Sequence, residues 1–175
     1  IPFIRTEDRV FEDSLIIEIG VLKMQKNKSC DIEYSVNNEK FKVYKKPFTI
    51  KQTSNIKIRS VKNLSKELKN YENDSLLIGR TVESDFIKRD KSISLELHSE
   101  YSSQYTASGK DALIDKLEGG NDFRTGDWQG YYGKDIEGII TFEKPKTIEK
   151  INFSFFVDQR SWIFKPKEIK VEISN

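Results

Sequence analysis

The chain is 175 residues long, 36% hydrophobic and 33% charged, with 30 basic residues against 28 acidic ones for a net charge of +2. That length holds one large domain or two small ones, and the near balance of charge lacks the one-sided excess of a nucleic-acid footprint. A single cysteine, Cys30, excludes an intrachain disulfide, and no apolar run approaches the roughly 20 residues of a membrane span.

Strand signals dominate from the start. Residues 15–19 are short, apolar and β-branched. Cys30 opens an alternating run, where the reading is a small buried hydrophobe; no His lies near in sequence to activate a thiol. Ile32, Tyr34 and Val36 alternate with Asp31, Glu33 and Ser35, the period-two pattern of a half-buried strand. Asn37-Asn38 then supplies residues that tolerate turn geometry. Phe41, Val43 and Pro47-Phe48-Thr49-Ile50 follow, and Ile56 and Ile58 alternate with Lys57 and Arg59. Residues 64–73 are polar and read as a long loop with a helical turn, after which strand character resumes over 76–78 and 81–87.

Lys88-Arg89-Asp90-Lys91 breaks this pattern, and a domain boundary is placed there, giving units 1–90 and 91–175. Further strands are read at 93–97, 136–142, 151–157 and 169–173, with one turn of helix over 110–117. Between them lies a segment unusual for a loop. Gly119-Gly120-Asn121-Asp122-Phe123-Arg124-Thr125-Gly126-Asp127-Trp128-Gln129-Gly130-Tyr131-Tyr132-Gly133 is too Gly-rich for a helix and too aromatic for an ordinary solvent-facing loop. It reads as a structured binding or packing loop on an all-β scaffold. Short strands separated by turn-rich loops indicate β-sandwiches.

Catalytic chemistry leaves no mark. His98 is the only histidine and shows no oriented partner in sequence. Glu83 and Asp85 have the spacing of a solvated strand face, and no carboxylate pair is marked as set across a glycosidic bond. The expectation is a binding module and not an enzyme. No signal-peptide pattern is visible, and the Ile1 start reads as that of an excised piece.

Two resemblances refine this reading. Ile32-Glu33-Tyr34-Ser35-Val36-Asn37-Asn38, Tyr44, Pro47-Phe48-Thr49-Ile50 and Ile56-Lys57-Ile58 resemble the immunoglobulin-like domain near the C-terminus of bacterial chitobiase and β-hexosaminidase relatives. Asn37-Asn38 stands where that family has Asp-Gly. In the second half the motifs are Tyr105-Thr106-Ala107-Ser108-Gly109-Lys110, Ala112-Leu113-Ile114-Asp115, Asn121-Asp122-Phe123-Arg124, Trp128-Gln129-Gly130 and Asp158-Gln159-Arg160-Ser161-Trp162-Ile163-Phe164, with Pro166 beyond. These are similar to the discoidin, or coagulation factor 5/8 type C, domain. Lys116 departs from the Gly usual there.

The resemblances imply an immunoglobulin-like β-sandwich followed by a discoidin-like, galactose-binding-like jelly-roll β-sandwich, the second unit ending before its last strands. They imply a non-catalytic fragment of a hexosaminidase-like glycoside hydrolase, its catalytic domain upstream in the same chain, in a periplasmic, cell-surface or secreted bacterial protein. Its partner would be a glycan with hexose or N-acetylhexosamine units, contacted by Tyr131, Tyr132, Asp158, Arg160 and Trp162. The alternative is a structural or interaction module that binds no sugar.

Individual residues keep two readings each. Trp128 either packs in the sandwich or stacks on a sugar. Tyr131 and Tyr132 face opposite ways if extended, so one packs while the other meets a ligand. Trp162 is either a glycan contact, with Arg160 and Asp158 bonding hydroxyls, or a plug against a neighbouring domain. Asp115, Asn121 and Asp122 either hold a structural Ca²⁺, as a related loop does in discoidin-like sugar binders, or form Asx turns; no other cofactor is implied. Exposed strand edges and an open inner face carrying Phe153, Phe155 and Val157 would favour a homodimer.

Overall fold

A computed structural model describes residues 1–6, 8–22, 30–63 and 76–174. The loop read over 64–73 lies outside them. The chain forms two compact units, 1–89 and 90–175, and is all-β, with two 3-10 turns as its only helical elements among the described residues. No described helix is long and apolar enough to cross a membrane.

The first unit carries β1 (Pro2–Arg5), β2 (Val10–Phe11), β3 (Leu15–Val21), β4 (Asp31–Val36), β5 (Lys42–Val43), β6 (Phe48–Ile50), β7 (Ser54–Asn63), β8 (Leu76–Ile78) and β9 (Val82–Lys88). One sheet has the order β1-β3-β6; the other has the order β2-β9-β7-β4-β5, with β8 also on β7. All pairs are antiparallel except β2 with β9. Alternation turns one face of each sheet inward. Ile17, Ile19 and Ile50 come from the first sheet and Ile56, Ile58, Phe11 and Phe86 from the second, and together they form one buried cluster. Ile17, Ile56 and Ile58 have no exposed surface, and burial of such a side chain stabilises by about 1.5–3 kcal/mol. This is a β-sandwich core.

Polar details close it. The Ile19 N–H donates to the Tyr44 hydroxyl at 3.1 Å, while the Tyr44 N–H donates to the Ile32 carbonyl at 2.7 Å, so one tyrosine links the two sheets. Asn37 and Asn38 have φ of 50° and 62°, with Glu39 N–H bonded back to Val36 carbonyl at 2.9 Å. Two left-handed residues in succession make the turn whose twist matches a hairpin. Glu33 and Arg59 face each other across β4 and β7, both donor nitrogens reach Glu33 Oε2, and the guanidinium lies 3.8 Å from the Phe41 ring centroid.

The second unit is built differently. β10 (Ile93–Leu97) and β11 (Gly138–Phe142) form a two-stranded antiparallel sheet, and the rest is turns, isolated bridges and irregular chain. Within the stretch 110–117, residues 110–114 make turns and no helix forms, closed by Ala112 N–H to Gly109 carbonyl and Ile114 N–H to Asp111 carbonyl. The strands read at 151–157 and 169–173 do not form. Their alternation is real, but a strand needs a neighbour to take its N–H and C=O groups. Cys30 is also corrected: it is exposed, just ahead of β4 and outside the strand, whose residues are covered only from Ile32 onward.

Candidate functional site

The Gly-aromatic segment folds into a small aromatic cluster of the second unit. The Trp128 ring lies 5.5 Å from Phe156, Phe123 lies 6.0 Å from Phe156 and 5.9 Å from Tyr105. Trp128 is half-buried, and its Nε1–H donates to the Gly120 carbonyl at 2.8 Å. Gly119 sits directly against the indole, where any Cβ would overlap it. A Cβ on Gly130 would come within 2.9 Å of Tyr105 Cβ. The glycines are therefore there to let rings meet backbone. Trp128 packs here, half-buried against Phe156 and Gly119. Phe156 ties the cluster together, on the opposite parity from Phe153, Phe155 and Val157, which strand alternation sets on one face.

Gln129 organises the adjoining loop. Its Nε2 donates to the Gly109 carbonyl at 2.8 Å and its Oε1 accepts from the Tyr131 hydroxyl at 2.6 Å. Tyr131 is half-buried, and burial raises its hydroxyl pKa above the ordinary tyrosine value, with the neighbouring Tyr101 adding to the shift. Tyr132 is 92% exposed. The two tyrosines thus divide, one packed and one in solvent.

Two of the three residues read as Ca²⁺ ligands, Asp115 and Asp122, accept hydrogen bonds from their own turns. Asp115 accepts from the Ser108 hydroxyl and the Leu117 N–H. Asp122 caps the 3-10 turn Phe123–Thr125 by accepting from Arg124 N–H at 3.0 Å, and the Arg124 guanidinium lies 3.8 Å from the same oxygen. Asn121 is exposed beside them. Ca²⁺ takes six to eight oxygens, and no three His, Cys, Asp or Glu side chains converge among the described residues.

The loop from Asp158 to Phe164 is mostly exposed and held by its own hydrogen bonds. Asp158 and Ile163 exchange both backbone hydrogen bonds, at 3.1 and 3.0 Å. Between them the 3-10 turn Gln159–Ser161 is capped by Asp158, which accepts from Arg160 N–H at 3.1 Å and from the Ser161 hydroxyl at 2.7 Å. The Ser161 hydroxyl chiefly, then the Arg160 and Ser161 N–H groups and the Arg160 charge, hold this carboxyl below the usual aspartate range. Trp162 ends the turn with φ 58° and ψ 34°, a left-handed conformation that costs a side-chain-bearing residue about 1–2 kcal/mol. It is nonetheless 84% exposed and meets Phe164 edge-on, at 6.4 Å and 79°. Phe164 is 59% exposed.

Two of the five residues read as sugar contacts also hold their own loops. Asp158 is the loop's cap, and Tyr131 is a packing residue. Arg160 and Trp162 share the loop and are exposed. Tyr132 is exposed elsewhere, and no ring contact joins it to Trp162 among the described residues. His98 lies between two acids, 3.4 Å from Glu96 and 3.9 Å from Glu137. In comparisons with known proteins, the chain matches no family model and no curated protein sequence.

Proposed function

We propose that the second unit is a non-catalytic carbohydrate-binding module with Trp162 as its contact, and that the chain is an accessory part of a hexosaminidase-like glycoside hydrolase. The observation that carries this is an indole held almost wholly in solvent, in an unfavourable backbone conformation, by a doubly bridged and capped loop. Strain of that kind persists where the surroundings impose it, and it clusters at binding sites. A pyranose ring laid on Trp162 would cover apolar surface that folding leaves open, with Arg160 donating to hydroxyls and Phe164 forming one wall. The first unit, on its resemblance, would space or position the catalytic domain.

The competing reading is an interaction module that binds no sugar. It is favoured by exposed Phe153, Phe155 and Val157, which are 51%, 41% and 50% exposed. The test is titration of the chain with N-acetylglucosamine and galactose, following indole emission. Saturable quenching that vanishes in Trp162→Ala supports the module. No change in emission or heat with either sugar, across a glycan array as well, refutes it.

A further inference from the structure

A second feature of the second unit points to a partner. No described residue from 90 to 174 is fully buried, whereas the first unit has a closed core. Every residue in 164–174 is exposed, and none takes part in a backbone hydrogen bond among the described residues. Yet 168–173 carries the full pattern of a strand: Ile169, Val171 and Ile173 alternate with Glu168, Lys170 and Glu172. The three apolar side chains are 46%, 50% and 69% exposed. Such an edge offers both unpaired backbone groups and an apolar row.

We infer that residues 168–174 pair antiparallel with the same segment of a second copy of the chain, about a two-fold axis at Val171. The charge pattern selects both partner and register. Centred on Val171, Lys170 of each copy lies opposite Glu172 of the other, giving two cross-strand ion pairs on one face. On the opposite face Ile169 meets Ile173 and Val171 meets Val171. Centring one residue earlier sets Lys170 against Lys170 and Glu168 against Glu172. Centring one residue later sets Glu172 against Glu172. Like charges directly opposite are destabilising. A half-step slip turns the apolar row toward the charges. An isologous contact of this kind is self-complementary and closes as a dimer.

Sedimentation of the full chain with charge-reversed variants tests this. The wild type should dimerise reversibly. Lys170→Glu and Glu172→Lys each replace two opposite-charge pairs by two like-charge pairs and should weaken self-association by roughly tenfold or more. Mixed in equal amounts, the two variants should dimerise with each other, and the double variant K170E/E172K should regain wild-type association. Circular dichroism on each variant confirms an intact fold, since both side chains are exposed. A wild type that stays monomeric at every concentration reached overturns the inference, as a segment elsewhere would then have to cover the row. Dimers indifferent to single reversal, or variants that fail to complement each other, overturn it too.

Discussion

The role of Trp162 can be tested by substituting it with Gly and with Ala. A tryptophan side chain buries about 150–250 Å² when fully packed. At 84% exposure, only about a sixth of that is covered, roughly 30 Å², worth about 0.8 kcal/mol at ~25 cal/mol per Å². Trp162→Ala loses that contact and keeps the left-handed backbone at φ 58°, so its second unit should be destabilised by less than about 1 kcal/mol. Trp162→Gly loses the same contact but relieves about 1 kcal/mol of backbone strain, so it should be as stable as the wild type or slightly more so. For binding the two should behave alike. A ligand covering one indole face hides about 80 Å², or about 2 kcal/mol, and its loss weakens affinity by roughly 30-fold. Both tryptophans, Trp128 and Trp162, lie in the second unit. In either variant the remaining Trp128 emission therefore reports urea unfolding of that unit alone. A loss above about 2 kcal/mol in Trp162→Gly would mark the indole as structural and refute the argument.

In the first unit, Ile58→Ala removes a side chain with no exposed surface, and the cavity it leaves should cost about 2–5 kcal/mol in urea unfolding followed by circular dichroism. Asn38→Gly should stabilise the hairpin by a few tenths of a kcal/mol, because φ 62° suits Gly better than Asn; a lower melting temperature would contradict this. The Asp158 carboxyl has a lowered pKa in the fold, so its contribution to the loop is complete above the ordinary value of 3.8 and disappears as pH falls from there through the lower folded value. Trp162 emission should accordingly shift only at that acid end, and Asp158→Asn should abolish the shift. Tyr131→Phe should cost about 1 kcal/mol through the lost bond to Gln129, and ultraviolet titration of the wild type should show one tyrosine ionising above the ordinary range, absent from the variant.

The all-β class and most first-unit strands were legible in the chain because a period of two in hydrophobicity is a local property. Ile32, Tyr34 and Val36 had to share one face of a strand wherever that strand packed, and Asn37-Asn38 had to turn. Alternation set Tyr131 and Tyr132 on opposite sides of an extended chain but did not say which of them packs. What sequence could not decide depends on partners distant along the chain. The same alternation at 169–173 yields no strand, since strand formation needs a neighbour within hydrogen-bonding distance and not a pattern. That the Asp158 carboxylate accepts from Ser161 and the Arg160 N–H, and that Asp115 and Asp122 accept from their own turns, is visible only in the fold. Trp128 and Trp162 are both large aromatics in polar company. Only tertiary structure sets one against Phe156 and Gly119 and leaves the other in water, because burial is decided by which surfaces meet.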